Sequence, residues 1–233
     1  MSYTKAFLEL LENVASSRHA PAKLAAFWPI CGDRYTGELL VIGRAVDSWY
    51  DSVAREELRS EGGRRAALDK TRRRSESDCM REFVDEWYTS QDKRPSRSGF
   101  WRTAQQTAER LGLGVGPASL HGICYTNLFK IAPETGNPAR GFRRLQIEIS
   151  VNLLRDEIAA FDPRRILVVS GQDWVDEFAK RLHLPMSCVI DDDVFAVVEN
   201  RQQRWVLAKR PDRREKGLTE ASWVEAVVKA FSS

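Results

Sequence analysis

The sequence predicts an α/β fold built on a mainly parallel sheet with helices on both faces. Short apolar runs at 38–43 (ELLVIG), 123–130 (ICYTNLFK) and 165–171 (RILVVSG) end in small or polar residues, as buried parallel strands do. Stretches with helical periodicity follow at 100–113 and 144–161. Strands alternating with helices of that length make crossover units rather than hairpins.

The elements can be justified in chain order. The opening MSYTKAFLELLENVASS carries Glu9 and Glu12 where an export signal needs an unbroken apolar core, so no export is expected. After the strand at 38–43 comes a segment at about 55–97 with a dense run of mixed charge and then MREFVDEWYTS, read as a charged helical insertion. The helix at 100–113 sets Phe100, Ala104, Thr107, Ala108 and Leu111 on one face, and Gly112 closes it. The helix at 144–161 repeats apolar residues at Leu145, Ile149, Leu153, Leu154 and Ile158. Further strands are expected at 194–198 and 204–208, and a last amphipathic helix at 219–231 has Thr219 as its N-cap. No internal repeat interrupts the pattern, so residues 1–233 are read as a single domain.

Composition narrows the function. Lys and Arg number 36 against 33 Asp and Glu, a net charge of +3, so any basic surface must come from clustering. No apolar run approaches the roughly 20 residues of a membrane span. Cys31, Cys79, Cys124 and Cys188 are scattered and form no C-x-x-C pair, which predicts free thiols in a reducing, cytoplasmic setting and no bound metal. No cofactor is expected, and a monomer is.

In open α/β sheets ligands bind beyond the carboxyl ends of the strands. That rule selects three places. The turn after the first strand reads Gly43-Arg44-Ala45-Val46-Asp47-Ser48-Trp49-Tyr50, with a glycine for close backbone approach, an acid and two aromatic rings. The second strand carries Asn127, whose amide both donates and accepts, as reading a base edge requires, and ends at Lys130. The last strand runs into Lys209-Arg210-Pro211-Asp212-Arg213-Arg214-Glu215-Lys216, a cluster that suits phosphates. Lys70, Arg72, Arg73, Arg74, Arg94, Arg97, Arg102, Arg140, Arg143 and Arg144 are further candidates for a nucleic-acid groove, unless nearby acids neutralise them locally. The three histidines fall outside these places, so histidine-assisted nucleophilic schemes find no support.

Four stretches in the right order make the chain resemble the uracil-DNA glycosylase superfamily, with the iron–sulfur branch the nearest in pattern. They are LLVIGRAVDSW, YTNLFKIAPETGNP, LQIEISVNLLRDEIAAFDPRRILVVSG and KRPDRRE, spanning roughly residues 38–214. The second is the most specific. The resemblance implies a three-layer α/β/α sandwich and a pocket for a base flipped out of DNA. It implies that Asn127 reads the base, that Gly43 and Arg44 begin the motif positioning the attacking water, and that Arg210 and Pro211 lie in the loop that grips DNA and steadies the leaving base. It also implies an aromatic ring stacked on the base, with Trp49, Tyr50 and Phe100 as candidates. From their basic character and placement, Lys130, Lys209, Arg213 and Arg214 are candidates for phosphate contacts.

The departures from the family pattern are specific. Arg44 and Ala45 stand where the family has its carboxylate or water-holding asparagine, and Arg210 replaces the histidine of the last motif. The cluster-ligating cysteines have no counterpart. Three readings follow. The chain is a glycosylase in which Asp47 orients water and Arg210 stabilises the departing anion, or a catalytically inactive nucleic-acid or nucleotide-binding module that keeps the fold. The third is an enzyme acting on a free nucleotide, closed by the insertion as a lid.

Overall fold

The computed structural model describes residues 2–45, 52–76, 79–85, 95–185, 193–199, 202–211 and 219–233. The Ser2 hydroxyl caps the first helix, α1 (Tyr3–Ser16), whose buried Ala6, Phe7, Leu10, Leu11, Val14 and Ala15 recur at helical spacing. Then come strands β1 (Lys23–Ala26), β2 (Ile30–Cys31), β3 (Leu39–Ala45) and β4 (Val53–Ala54), and helices α2 (Glu61–Glu76), α3 (Cys79–Asp85) and α4 (Gly99–Arg110). Strands β5 (Ile123–Phe129) and β6 (Ile131–Pro133) lead into the long helix α5 (Arg140–Phe161). The chain closes with β7 (Arg165–Val169), α6 (Gln172–Leu182), β8 (Val194–Glu199), β9 (Arg204–Ala208) and α7 (Glu220–Ser232).

The fold is mixed α/β. A six-stranded sheet has the order β2-β5-β3-β7-β9-β8, in which β7 runs parallel to both β3 and β9. Ile42 lies opposite Val168, and Val168 opposite Leu207, so three apolar runs stack in register. At the edges, β2 is antiparallel to β5, and β8 to β9. A second sheet, β4-β1-β6, is antiparallel throughout and was not expected from the pattern.

Contacts divide the chain into two units, one of residues 1–29, 43–77 and 126–160, the other of residues 30–42, 78–125 and 161–233. In the first, α1, β1, α2 and α5 enclose a core that includes Phe7, Leu10, Leu11, Leu24, Leu68, Phe142 and Leu153. In the second, α7 packs on α4 and on β9, burying Trp223, Val224 and Val227.

Local signals explain where the helices stop and start. Gly112 adopts φ +79°, and after α4 the Gly112 and Leu113 amides donate to the Glu109 and Ala108 carbonyls, the paired bonds of a Schellman close. Thr219 caps α7 as expected, accepting from the Ser222 amide while the Ser222 hydroxyl accepts from the Thr219 amide. The described part of the 55–97 segment is helical. In α2, Arg65 pairs with Glu61 and Arg72 with Glu76, while Ala67, Leu68 and Thr71 turn inward.

The expectation that all cysteines are free thiols is corrected at two positions. Cys31 and Cys124 face each other across the antiparallel β2–β5 pair, with Cα atoms 4.1 Å apart, and are joined by a disulfide. Ninety-three positions of sequence separate them, and only the strand pairing brings them together.

Candidate functional site

In the first unit, the carboxyl ends of β3 and β5 carry the expected site residues. These are neighbouring strands of the large sheet. Gly43 is buried and Arg44 half-buried at the end of β3, while Asp47, Trp49 and Tyr50 lie outside the described residues. Asn127 is fully buried within β5, where every residue is buried.

Lys130 corrects the expectation of an exposed lysine that meets phosphate. It occupies the single position between β5 and β6, and its side chain is fully buried. Each of its three ammonium protons has an acceptor: the Thr126 Oγ1 at 2.8 Å, the Asn127 peptide oxygen at 2.5 Å and the Glu157 Oε2 at 2.8 Å. Glu157, on α5, is itself 2% exposed and accepts from the Thr126 hydroxyl at 2.7 Å. Its other oxygen accepts from the Tyr3 hydroxyl of α1 at 2.5 Å. A buried ion pair is tolerable only when its remaining hydrogen-bonding capacity is met, and here it is. Burial pulls the Lys130 ammonium below the usual lysine range, with the Glu157 charge and hydrogen bond opposing that pull. Burial first, and then the Glu157 carboxylate, push the Tyr3 hydroxyl well above its ordinary value.

A second polar device lies beside it. The Gln146 side chain, also on α5, donates to the Ile131 carbonyl at 2.9 Å and accepts from the Ile131 amide at 3.3 Å. It thereby behaves as one more strand partner for β6. The inward face of α5 is consequently not the purely apolar stripe its periodicity suggested: Gln146, Ser150 and Glu157 are buried with Phe142, Val151, Leu153 and Leu154.

In the second unit, Phe100 is buried and packs edge-on against Trp101 and Tyr125, with centroids 5.1 and 5.6 Å away. Phe83 lies against Trp101 at 4.4 Å, so Phe100 is one ring of an aromatic cluster. After β9 the backbone of Lys209 is held on both sides: its amide donates to the Asp193 carbonyl at 2.8 Å, and its carbonyl accepts from the Trp223 indole at 2.8 Å. The side chains beyond are accessible, with Lys209 and Pro211 half-buried and Arg210 exposed; Arg213 and Arg214 lie outside the described residues. Arg102, a candidate for the nucleic-acid groove, instead forks onto the Glu220 carboxylate and donates to the Ser96 carbonyl at 2.6 Å. The hydrogen bond it donates to Glu220 raises its already high pKa further.

No protein-family model and no curated protein matches the chain. Among the described residues there is no group of three or more His, Cys, Asp or Glu placed to hold a metal ion, and no helix long and apolar enough to cross a membrane.

Reading the sequence alone missed Tyr3, Thr126, Gln146 and Glu157. Glu157 follows Arg155 and Asp156 in a run that reads as a solvated helix face. The available signal was Lys130 itself, since a lysine inside a run that reads as a buried strand needs a carboxylate somewhere.

Proposed function

We propose that this chain binds a nucleobase, flipped from a nucleic acid or free, at the carboxyl ends of β3 and β5, in the manner of the uracil-DNA glycosylase superfamily it resembles. The observation that carries the reading is Asn127. It is a buried amide on a strand beside the one that ends in Gly43 and Arg44. An asparagine amide carries both an acceptor and donors, the kinds of group that alternate along a pyrimidine or purine edge. The mixed α/β sheet supports the reading through the rule that ligands gather at strand carboxyl ends.

Binding without hydrolysis is the form the sequence favours, because Arg44 and Ala45 replace the family's water-holding residues. If the chain does hydrolyse an N-glycosidic bond, the resemblance gives Asp47 the attacking water and Arg210 the departing anion, whose charge an arginine can stabilise without proton transfer.

The test has two arms. Saturation-transfer NMR with free uracil, cytosine, hypoxanthine and xanthine measures base binding, and abasic-site formation on DNA containing uracil, hypoxanthine or xanthine measures hydrolysis. Binding of at least one base, weakened about tenfold or more in Asn127→Ala, is the expected result, from the ~1–3 kcal/mol of one bidentate base contact. No base bound at millimolar concentration, or unchanged binding in Asn127→Ala, would end the reading.

A further inference from the structure

Lys130 stands where the chain passes from one sheet to another, since β5 belongs to the six-stranded sheet and β6 to the three-stranded one. The backbone there is fixed from outside: the Phe27 amide donates to the Lys130 carbonyl at 2.8 Å. From that anchor the side chain folds back along β5, and its ammonium reaches the peptide oxygen of Asn127, three residues earlier, at 2.5 Å. The ammonium is oriented by Glu157, and Glu157 in turn by the Thr126 and Tyr3 hydroxyls. The chain of contacts runs from α1 through α5 to the peptide that carries Asn127, entirely within the first unit.

Core stability alone does not call for this arrangement. Replacing a buried ion pair by well-packed apolar side chains is often neutral or stabilising, because desolvation consumes most of the Coulombic gain. What apolar side chains cannot supply is a directed, charge-assisted hydrogen bond to one chosen carbonyl. Holding that carbonyl fixes the peptide plane, and with it the direction in which the Asn127 side chain leaves the backbone. Recognition by a planar amide tolerates errors of only about 10–20°.

We infer that Lys130 and Glu157 are positioning residues for Asn127, with Thr126 and Tyr3 holding Glu157, so that the pair sets which base edge the asparagine selects. The inference rests on the base-binding reading above. It assigns the pair an effect on discrimination between bases, beyond any effect on folding.

The test uses the full chain with the double variant Lys130→Met/Glu157→Gln. The glutamine keeps an acceptor for Tyr3 and a partner for Thr126, while the donor to the Asn127 carbonyl is lost. The readouts are the preference for uracil over cytosine and the side-chain amide resonance of Asn127, assigned by its disappearance in Asn127→Ala. Gln146→Leu is the control, since it removes a different pair of buried hydrogen bonds from the same helix. The expected result is a melting temperature near wild type, a displaced or broadened Asn127 resonance and a base preference reduced about tenfold, with Gln146→Leu leaving resonance and preference as in wild type. A folded double variant with an unmoved resonance and an intact preference would overturn the inference. So would an equal loss of preference in Gln146→Leu. If wild type binds no base, the base reading has failed on its own, and the resonance still decides whether the pair positions Asn127. If the double variant does not fold, Tyr3→Phe loosens Glu157 from its far side, and an unmoved Asn127 resonance in that variant would overturn the inference.

Discussion

Removing the Cys31–Cys124 bond tests how far the large sheet depends on its edge. Strand β2 is two residues long and, among the described residues, pairs only with β5, placing Ile30 opposite Tyr125 and Cys31 opposite Cys124. Beyond it, the Gly32 amide donates to the Ile123 carbonyl and the Arg34 amide to the His121 carbonyl, so four residues of pairing hold this edge. The disulfide closes a loop spanning 93 positions of sequence. Chain entropy for a loop of that length gives an upper figure of about 4.6 kcal/mol of stabilisation, and about 2–4 kcal/mol is typical of measured disulfides. In a protein of this size each kcal/mol moves the midpoint by about 2–4 °C, so reduction should lower Tm by roughly 5–15 °C. The assay is urea unfolding and thermal melting of wild type and Cys31→Ala, each with and without reductant. Cys31 is exposed, so its truncation removes little besides the cross-link. Wild type should lose stability on reduction and show a larger m-value as the unfolded chain expands, while Cys31→Ala should start at the reduced level and ignore reductant. Equal response of both proteins to reductant, or alkylation of all four cysteines in unreduced wild type, would refute the cross-link.

Two further expectations are narrower. Thr219→Ala removes the hydroxyl that accepts from the Ser222 amide and breaks the capping box of α7; it should cost about 1 kcal/mol, read as a lowered urea midpoint at constant m, and an unmoved midpoint would show that the cap contributes nothing. The Tyr3 hydroxyl, held by burial and by Glu157 well above its ordinary value of 10.0, stays protonated after the unfolded tyrosine has ionised. With the folded pKa raised, this contribution is intact below pH 10 and drains away above it at up to about 1.4 kcal/mol per pH unit. Tyr35, raised mainly by burial, adds a similar slope, and Lys130, whose pKa is lowered, works in the opposite sense. The difference between wild type and Tyr3→Phe isolates the Tyr3 part, and parallel pH–stability curves would show that its hydroxyl is not held by Glu157.

The parts of the fold legible in the sequence are those where one interaction dominates a local stretch. Apolar runs at 165–171 and 204–208 became β7 and β9 because a strand buried on both faces must be apolar throughout. Thr219 announced the start of α7 because the amides of a first helical turn need an acceptor, whatever the helix packs on. The small sheet left no such trace. Its strands are two to four residues long, and in β6 the amide and the carbonyl of Ile131 both bond the Gln146 side chain, a partner that no period reveals. Cys31 and Cys124 failed as a pattern for the same reason, since strand pairing rather than spacing makes them neighbours.

The candidate site separates along the same line. Asn127 could be singled out because the chemistry proposed for it would be carried by one residue near a strand end. Lys130 was misread because charge was taken as a report of exposure, as it nearly always is: in α2, Arg65 and Arg72 are exposed and form ion pairs one turn apart, as that rule expects. At position 130 the rule fails for a topological reason. A chain that leaves one sheet directly for another cannot place a loop between them, so the linking residue is interior whatever its type. An apolar residue would satisfy that position more cheaply. The lysine, together with a carboxylate that α5 brings to it from 27 residues away, is best explained by what it touches that an apolar residue could not hold, and that is the Asn127 carbonyl.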